Sequence, residues 1–483
     1  MGKNLNVMIL NPPSPPYFNV CRDWAGGFGT ATPVRRRADY GHSGKPTFHP
    51  FLAYASAVLL NENYSYSVLD CQRLNLNKFE VLRDVKKRNP DVIFSLLGLP
   101  SFKKDLVLLD MIKESLPYTT MVGVGTSCRF LHNDILLNGK VDAVLRNSYP
   151  YVSNLTSFLN ALELKQNLKQ VPGVSYFDGE KVISTVEASD ISLDKLTPPN
   201  YDALELEGYD CFKDLDGNRY SYVSILGSKG CPYPCIYCPY PLGFGTKWTH
   251  RSPKEIVDEI EGLHARCVKG FLFRDQSFPM NEKYAVKVCE EIIHRKLDIA
   301  WFCEARVDNI SRKLLEIMKK AGCKRIHYGV ETGDSNLIKL AKPGANLESI
   351  RRGFRLTKEM GLWAQAHLIF GWHEESLDTL ANTSKFVTEI APDSLDWNIL
   401  TPYLGTKLYE MANENHLILT YDWSKYTSHT VVMKMKWLTA SQLHKAVNKI
   451  MRDHSKQTIR KLLLYAIKKR RFLANELLNI IQG

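Results

Sequence analysis

No run of apolar residues in this 483-residue chain approaches the roughly 18 needed to cross a bilayer, and Met1-Gly-Lys-Asn-Leu-Asn6 lacks the apolar stretch of a secretory signal. Position 6 is Asn, where a myristoylation signal requires Ser or Thr. These absences predict a cytoplasmic protein. Outside one loop the 11 cysteines show no paired short-range spacing, so disulfides are not expected, and none follows Cys323. No Gly-x-Gly-x-x-Gly follows the first predicted strand, which disfavours a dinucleotide ligand. Acidic residues are in the minority, 51 against 63 Lys and Arg, for a net charge of +12. The excess is not spread evenly: between Ser441 and Gly483 ten basic residues face two acidic ones and carry +8 of it, so a nucleic-acid surface spanning the protein is not indicated.

What is present is the composition of a soluble globular protein, 44% hydrophobic, 11% aromatic and 24% charged, with length for two or three cores. The stretch from Gly227 to Phe244 stands out, because Cys231, Cys235 and Cys238 follow one another at spacings of four and three. Clustered thiolates select zinc or iron-sulfur over magnesium or calcium. Three ligands are one short of a closed site, and no fourth Cys or His lies close by in sequence. Either a distant residue, His250 or Cys211, completes a zinc knuckle, or a four-iron cluster keeps one iron open to an external chelator.

The loop resembles the CxxxCxxC motif of the radical S-adenosylmethionine (SAM) superfamily. The resemblance implies a [4Fe-4S] cluster held by Cys231, Cys235 and Cys238, with Tyr237, the aromatic residue before the last cysteine, near SAM.

Toward the N-terminus, Val7 to Leu10 reads as a buried strand stopped by Pro12 and Pro13. A Gly- and Pro-rich loop of roughly 35 residues follows to Pro46, carrying Arg22-Asp-Trp24 and Arg35-Arg-Arg37, and loops of that length are commonly functional. Segments 51–60, 65–69, 91–97, 104–114, 119–124 and 141–145 then alternate between helix and strand, the pattern of a doubly wound parallel sheet. Such sheets take ligands at strand carboxyl ends, here Ser95, Leu96, Gly98, Gly123, Gly125, Asn147 and Ser148. This arrangement looks like the cobalamin (B12) domain found ahead of many radical SAM domains. That likeness implies cobalamin contacts at Ser95, Leu96, Gly98, Gly123 and Gly125. It departs from the family's Asp-x-His-x-x-Gly at Asn11-Pro-Pro-Ser-Pro15, so no protein histidine is expected under cobalt.

Residues 170–203 read as a connector, with a hairpin around Asp178-Gly179 and prolines at 198 and 199. From Tyr220, six strand and helix units predict a partial parallel (β/α)6 barrel, which gathers its chemistry on the loops after the strands. SAM offers an ammonium, a carboxylate, a ribose diol and an adenine, and Asp275, Arg306, Glu331 and Ile369 stand at successive strand ends with matching chemistry. Family patterns at Phe273 to Phe278, Gly329 to Gly333 and His367 to Glu374 agree, adding Gly371, with Gln276, His367 and Leu404 as departures. His367 is a catalytic candidate among histidines that otherwise read as packing residues, and Cys267, Cys289, Cys303 and Cys323 read as small hydrophobes.

These readings divide the chain into a cobalamin-type Rossmann-like domain (1–150), a linker (151–215), a radical SAM barrel (216–410) and a basic helical region (411–483). The last contains Lys468-Lys-Arg-Arg471 beside an apolar stripe, suited to capping the barrel or to an anionic membrane surface. By resemblance the chemistry is hydrogen abstraction by a 5'-deoxyadenosyl radical, then methyl transfer from methylcobalamin to a lipid or natural product. Ring closure, carbon coupling or oxidation in tetrapyrrole or lipid synthesis is the alternative, and a zinc-stabilised binding module without catalysis a third. An electron donor such as flavodoxin or ferredoxin is the implied partner, and one cluster is expected.

Overall fold

In the computed structural model of the chain, which describes residues 3–33 and 45–457, the apolar run at Val7 becomes β1 (Asn6–Asn11), with Val7 to Leu10 fully buried. Pro12 and Pro13 lack the amide hydrogens a ladder needs and end it. The long loop is not bare: β2 (Phe18–Cys21) and β3 (Thr30–Pro33) form an antiparallel hairpin within it. Next come β4 (Ser65–Asp70), β5 (Val92–Leu96), β6 (Thr120–Val124) and β7 (Ala143–Leu145), which join β1 in the parallel order β4-β1-β5-β6-β7. The order reverses between β1 and β5, and a crevice opens at such a point beyond the strand carboxyl ends. Two antiparallel strands, β8 (Val174–Phe177) and β9 (Val182–Ser184), extend this sheet. The hairpin around Asp178-Gly179 is therefore a sheet edge rather than free connector.

A second seven-stranded sheet begins with β10 (Cys211–Lys213), antiparallel to β11 (Arg219–Ile225). The small ladder of β12 (Ser228–Lys229) and β13 (Thr249–His250) brackets the cysteine loop. Then β14 (Gly270–Phe273), β15 (Ala300–Ala305), β16 (Cys323–Glu331), β17 (Trp363–Phe370) and β18 (Ser394–Ile399) follow β11 in order, all parallel. This is a six-stranded partial barrel, open between β11 and β18, as predicted. Helices return the chain between strands, and their starts are marked in sequence: Ser252 and Glu255 form a reciprocal capping box at the helix Pro253–Ala265.

Phe212, Tyr222, Leu272, Ala300 and Phe302 fill the barrel interior below the strand ends. One hydrophobic cluster runs through both sheets, joined where the Tyr149 ring stacks on Phe244 at 4.2 Å. Helical residues 440–457 pack Leu443, Val447 and Ile450 into it. The basic stretch around Lys468 lies outside the described residues, as do Arg35 to Arg37. Among the described residues no helix is long and apolar enough to cross a membrane.

Because Phe302 is packed against Phe212 at 4.8 Å and Tyr222 at 5.0 Å, Phe302→Ala opens a cavity under the site. It is expected to lower stability by about 3–5 kcal/mol, read from the urea unfolding midpoint.

Candidate functional site

The cysteine loop leaves β11 and is held from below by a buried carboxylate. Asp275, at the end of β14, accepts from the Gly227 amide at 3.0 Å and from the Ser228 hydroxyl. Its neighbour Gln276 accepts from the Gly230 amide at 2.8 Å. Further along, the Cys231 amide donates to the Gly245 carbonyl at 3.1 Å and the Leu408 amide to Ile236 at 2.9 Å. Backbone groups of a loop need such partners when it is buried, and here they also fix the three thiols on one wall of an open cavity of about 240 Å³. Burial pushes all three thiols up, so a soft metal that takes them as thiolates offsets a cost the fold has already imposed.

The rest of the cavity is built from the strand ends. Tyr237 lines it, packs edge-on against Trp372 at 5.6 Å, and its phenol is pushed up by burial and by the Glu331 carboxylate. Glu331 sits at a register shift in the β16 and β17 pairing, with φ of 64°, a left-handed conformation that few non-glycine residues adopt. Arg306 lines the wall too. It is clamped by Asp308 at 3.0 and 2.6 Å and stacked 3.8 Å from the Tyr233 ring centre. Ile369 supplies an apolar flank, its carbonyl accepting from the Trp372 indole at 2.9 Å.

Two of the residues expected to hold SAM are placed elsewhere. Asp275 has no exposed surface and does not line the cavity. Its oxygens are taken by the loop, and burial pushes its carboxyl up to about 7. Gly371 does not line the cavity either: its amide donates to Glu375, another buried carboxyl pushed up to about 7. Two further polar residues, Gln276 and Lys342, line the cavity. Gln276 keeps Nε2 buried and without a hydrogen-bond partner at the cavity wall, and the departure from a second Asp there was the signal. Lys342 brings its ammonium into the cavity, 2.9 Å from the Gly329 carbonyl and 3.5 Å from Glu331. Nothing in its local sequence marked it, since it arrives from eleven residues downstream of its partner.

His367 lines the floor beside His327, ring centres 5.2 Å apart. Its Nε2 accepts from Gln365 at 3.0 Å, because the Gln365 oxygen is engaged by Arg325 and Ser394, and its Nδ1 faces Asp396 at 3.4 Å. With both nitrogens engaged, the ring is a fixed part of the wall rather than a free proton acceptor.

The proposed zinc completers lie away from the thiols. His250 packs on Trp248 and Tyr284, while Cys211 is on edge strand β10, and neither lines the cavity. Among the described residues no three or more His, Cys, Asp or Glu groups are arranged around a single ion. A four-iron cluster would take each thiolate on a different iron and leave one iron open, so Cys231, Cys235 and Cys238 could hold it without a fourth protein ligand.

Residues 225–387 match the family model described as the Radical SAM superfamily. These residues form a radical SAM domain. The chain is 28% identical to an uncharacterised methyltransferase of Pyrococcus horikoshii, over 82% of this chain and 85% of that one. It is 26% identical to the anaerobic magnesium-protoporphyrin IX monomethyl ester cyclase of Cereibacter sphaeroides, over 81% of this chain and 64% of that enzyme. The radical SAM methyltransferase TsrM of Kitasatospora setae, solved with cobalamin and a [4Fe-4S] cluster, shares the fold with a TM-score of 0.66 at 15% identity, over 91% of this chain and 80% of TsrM.

As folded, the turns expected to take cobalamin pack against this chain's own residues. Ser95, Leu96, Gly98, Gly123 and Gly125 do not line the radical SAM cavity. A Cβ on Gly123 would stand 2.9 Å from Leu97 Cδ1, one on Gly125 2.8 Å from the Leu97 carbonyl, and one on Gly98 3.0 Å from Ser101 Oγ. The close approach that these glycines permit is used by this chain's own turns.

Two outcomes follow from this geometry. Lys342→Met is expected to raise the dissociation constant for SAM on the order of 10- to 100-fold in equilibrium dialysis, by loss of a charged partner. Asp275 holds its proton more tightly folded (about 7) than at the ordinary value of 3.8, so its contribution to stability falls as pH rises through that interval. Asp275→Asn removes that dependence, and the difference in urea midpoint between variant and parent should grow in the variant's favour from pH ~4 to ~7. Glu375 has the same sign but is common to both proteins and cancels.

Proposed function

We propose that this chain is a radical SAM enzyme that methylates an unactivated carbon of a small molecule or lipid. The observation that carries the radical reading is the set of three thiols, one ligand short, facing a cavity whose opposite groups match SAM. A cluster and SAM bound there supply one-electron cleavage of SAM and removal of hydrogen from carbon.

The chain's own residues bind and orient. Gln276 Nε2 offers a donor and Lys342 a cation to the carboxylate of SAM, while Glu331 accepts from its ammonium or ribose. Ile369 and the Tyr237 and Trp372 pair exclude water from one flank. Arg306, held by Asp308 and Tyr233, adds positive potential beside Cys231 and Cys235 without being free to swing. Trp24, Thr30, Tyr403 and Ser428 also line the cavity and would meet substrate there.

Methylation is preferred because a relative at 28% identity bears a methyltransferase name and two hopanoid methylases are also similar to this chain. Ring closure is the second reading, favoured by the cyclase relative. A low-potential protein such as flavodoxin or ferredoxin is the fitting electron source. Membrane contact through the basic C-terminal stretch belongs to the same proposal, and loss of liposome binding on deleting residues 455–483 would support it.

Anaerobically reconstituted protein should be brown, carry about four irons per chain and cleave SAM to 5'-deoxyadenosine with dithionite, all lost in Cys235→Ala. A colourless zinc protein would sink the reading. With SAM labelled in its methyl group and an anaerobic small-molecule extract, label on carbon supports methylation, whereas an unlabelled cyclised product favours the second reading.

A further inference from the structure

Ligands of an open parallel sheet sit in the crevice where strand order reverses, which in the first sheet lies between β1 and β5. That crevice is filled by Arg22. Its guanidinium pairs with buried Asp105 at 2.7 Å and donates to Asn11 Oδ1 at 3.0 Å and to the Pro12 carbonyl at 2.8 Å. The residues that follow, Trp24-Ala-Gly-Gly-Phe-Gly29, pass between the first-sheet turns and the cysteine loop. On the first-sheet side, Thr126 Oγ1 donates to the Gly26 carbonyl at 2.7 Å and the Leu99 amide to Phe28 at 2.7 Å. A Cβ on Gly27 would lie 1.8 Å from the Tyr151 hydroxyl. Toward the barrel, a Cβ on Gly26 would lie 2.4 Å from the Pro239 carbonyl, and one on Gly243 2.0 Å from Gly26 O. Backbone meets backbone across the space that separates the two strand-end faces.

Other features show that this packing is not fully satisfied. Ala25 has φ of 50°, a left-handed conformation costly for a residue with a Cβ. Arg22 Nε, Asp23 Oδ1, Trp24 Nε1, His49 Nε2, Tyr149 Oη and Arg274 Nη1 are all buried without a hydrogen-bond partner. Native structures leave few such groups, so this cluster at the segment and its surroundings has capacity for polar partners that the fold itself does not supply.

We infer that residues 24–29, beyond the anchored Arg22 and Asp23, form a strap that occupies the place of cobalamin, so that strap and cofactor exclude each other and the cofactor enters as the strap withdraws. The inference rests on the radical SAM reading with cobalamin as second cofactor. A corrin must reach both the glycine turns of the first sheet and the cluster side of the cavity, and the strap lies between them. The strap-in state therefore lowers apparent cobalamin affinity by the fraction of molecules in which the strap is out.

The test is titration of the cluster-loaded protein with hydroxocobalamin, followed by its visible spectrum and by retention on gel filtration, with SAM binding measured in parallel. Gly27→Ala drives a methyl group into Tyr151 and so disfavours the strap-in state; Thr126→Val removes the hydroxyl that holds Gly26 without adding bulk. Both should tighten hydroxocobalamin binding, on the order of 10-fold for Gly27→Ala and less for Thr126→Val, with SAM affinity unchanged. Trp24 fluorescence should change on binding to the parent. Equal or weaker binding in both variants overturns the strap. If Gly27→Ala does not fold, Thr126→Val decides alone. If parent and variants all bind no hydroxocobalamin while still cleaving SAM, the strap and cobalamin fail together and the radical SAM reading stands. Loss of SAM cleavage in the parent would instead sink that reading.

Discussion

An arginine with no exposed side-chain surface sits where the parts of this molecule meet. Arg274, at the end of β14, donates to the Asp23 carboxylate at 2.9 Å, to the Asp23 carbonyl at 2.8 Å and to the Tyr240 hydroxyl at 3.0 Å, with Glu304 at 3.7 Å. Removing a guanidinium from water is costly unless its hydrogen bonds are made within the protein, and removing one partner strands the other. Asp23 belongs to the N-terminal segment, Tyr240 to the cysteine loop and Glu304 to the cavity wall. One desolvated charge thus obliges three separate stretches of chain to converge.

The next residue along does the same for the loop by a different means. Asp275 has the position and charge expected of a ligand-binding carboxylate, yet spends both oxygens on Gly227 and Ser228. A loop that carries metal ligands must be rigid before the metal arrives, and a buried acceptor under its first turn gives that rigidity. The cavity wall is left to Gln276 and Lys342, which each bond one backbone group, at Gly230 and Gly329, and still reach the cavity.

Much of this was legible along the chain. The cysteine spacing, the strand and helix alternation and the polar strand ends are local patterns, and the six strands expected from Tyr220 onward form the partial barrel. Glu331, Arg306, Ile369 and Tyr237 all reached the cavity because a parallel barrel gathers its strand ends whatever their side chains. The helices Lys78–Arg88, Thr126–Asn138 and Leu155–Glu163 were passed over. Polar and charged residues obscured the apolar stripe of the first two, and the third was absorbed into the expected linker. The hairpin inside the Pro12 to Pro46 stretch was hidden too, since its strands are four residues each.

By itself the sequence determined the thiol set, the order of elements and the chemistry offered at each strand end, because these depend on near neighbours and on periodicity. Only the tertiary structure decided which of the polar groups face the cavity. That choice turns on competition for hydrogen-bond donors between segments far apart in sequence: Asp275 lost to the loop, Lys342 was gained from a later turn, and both nitrogens of His367 were engaged. It also decided that the glycines of the first sheet meet this chain's own backbone, since glycine marks a close approach without saying what approaches.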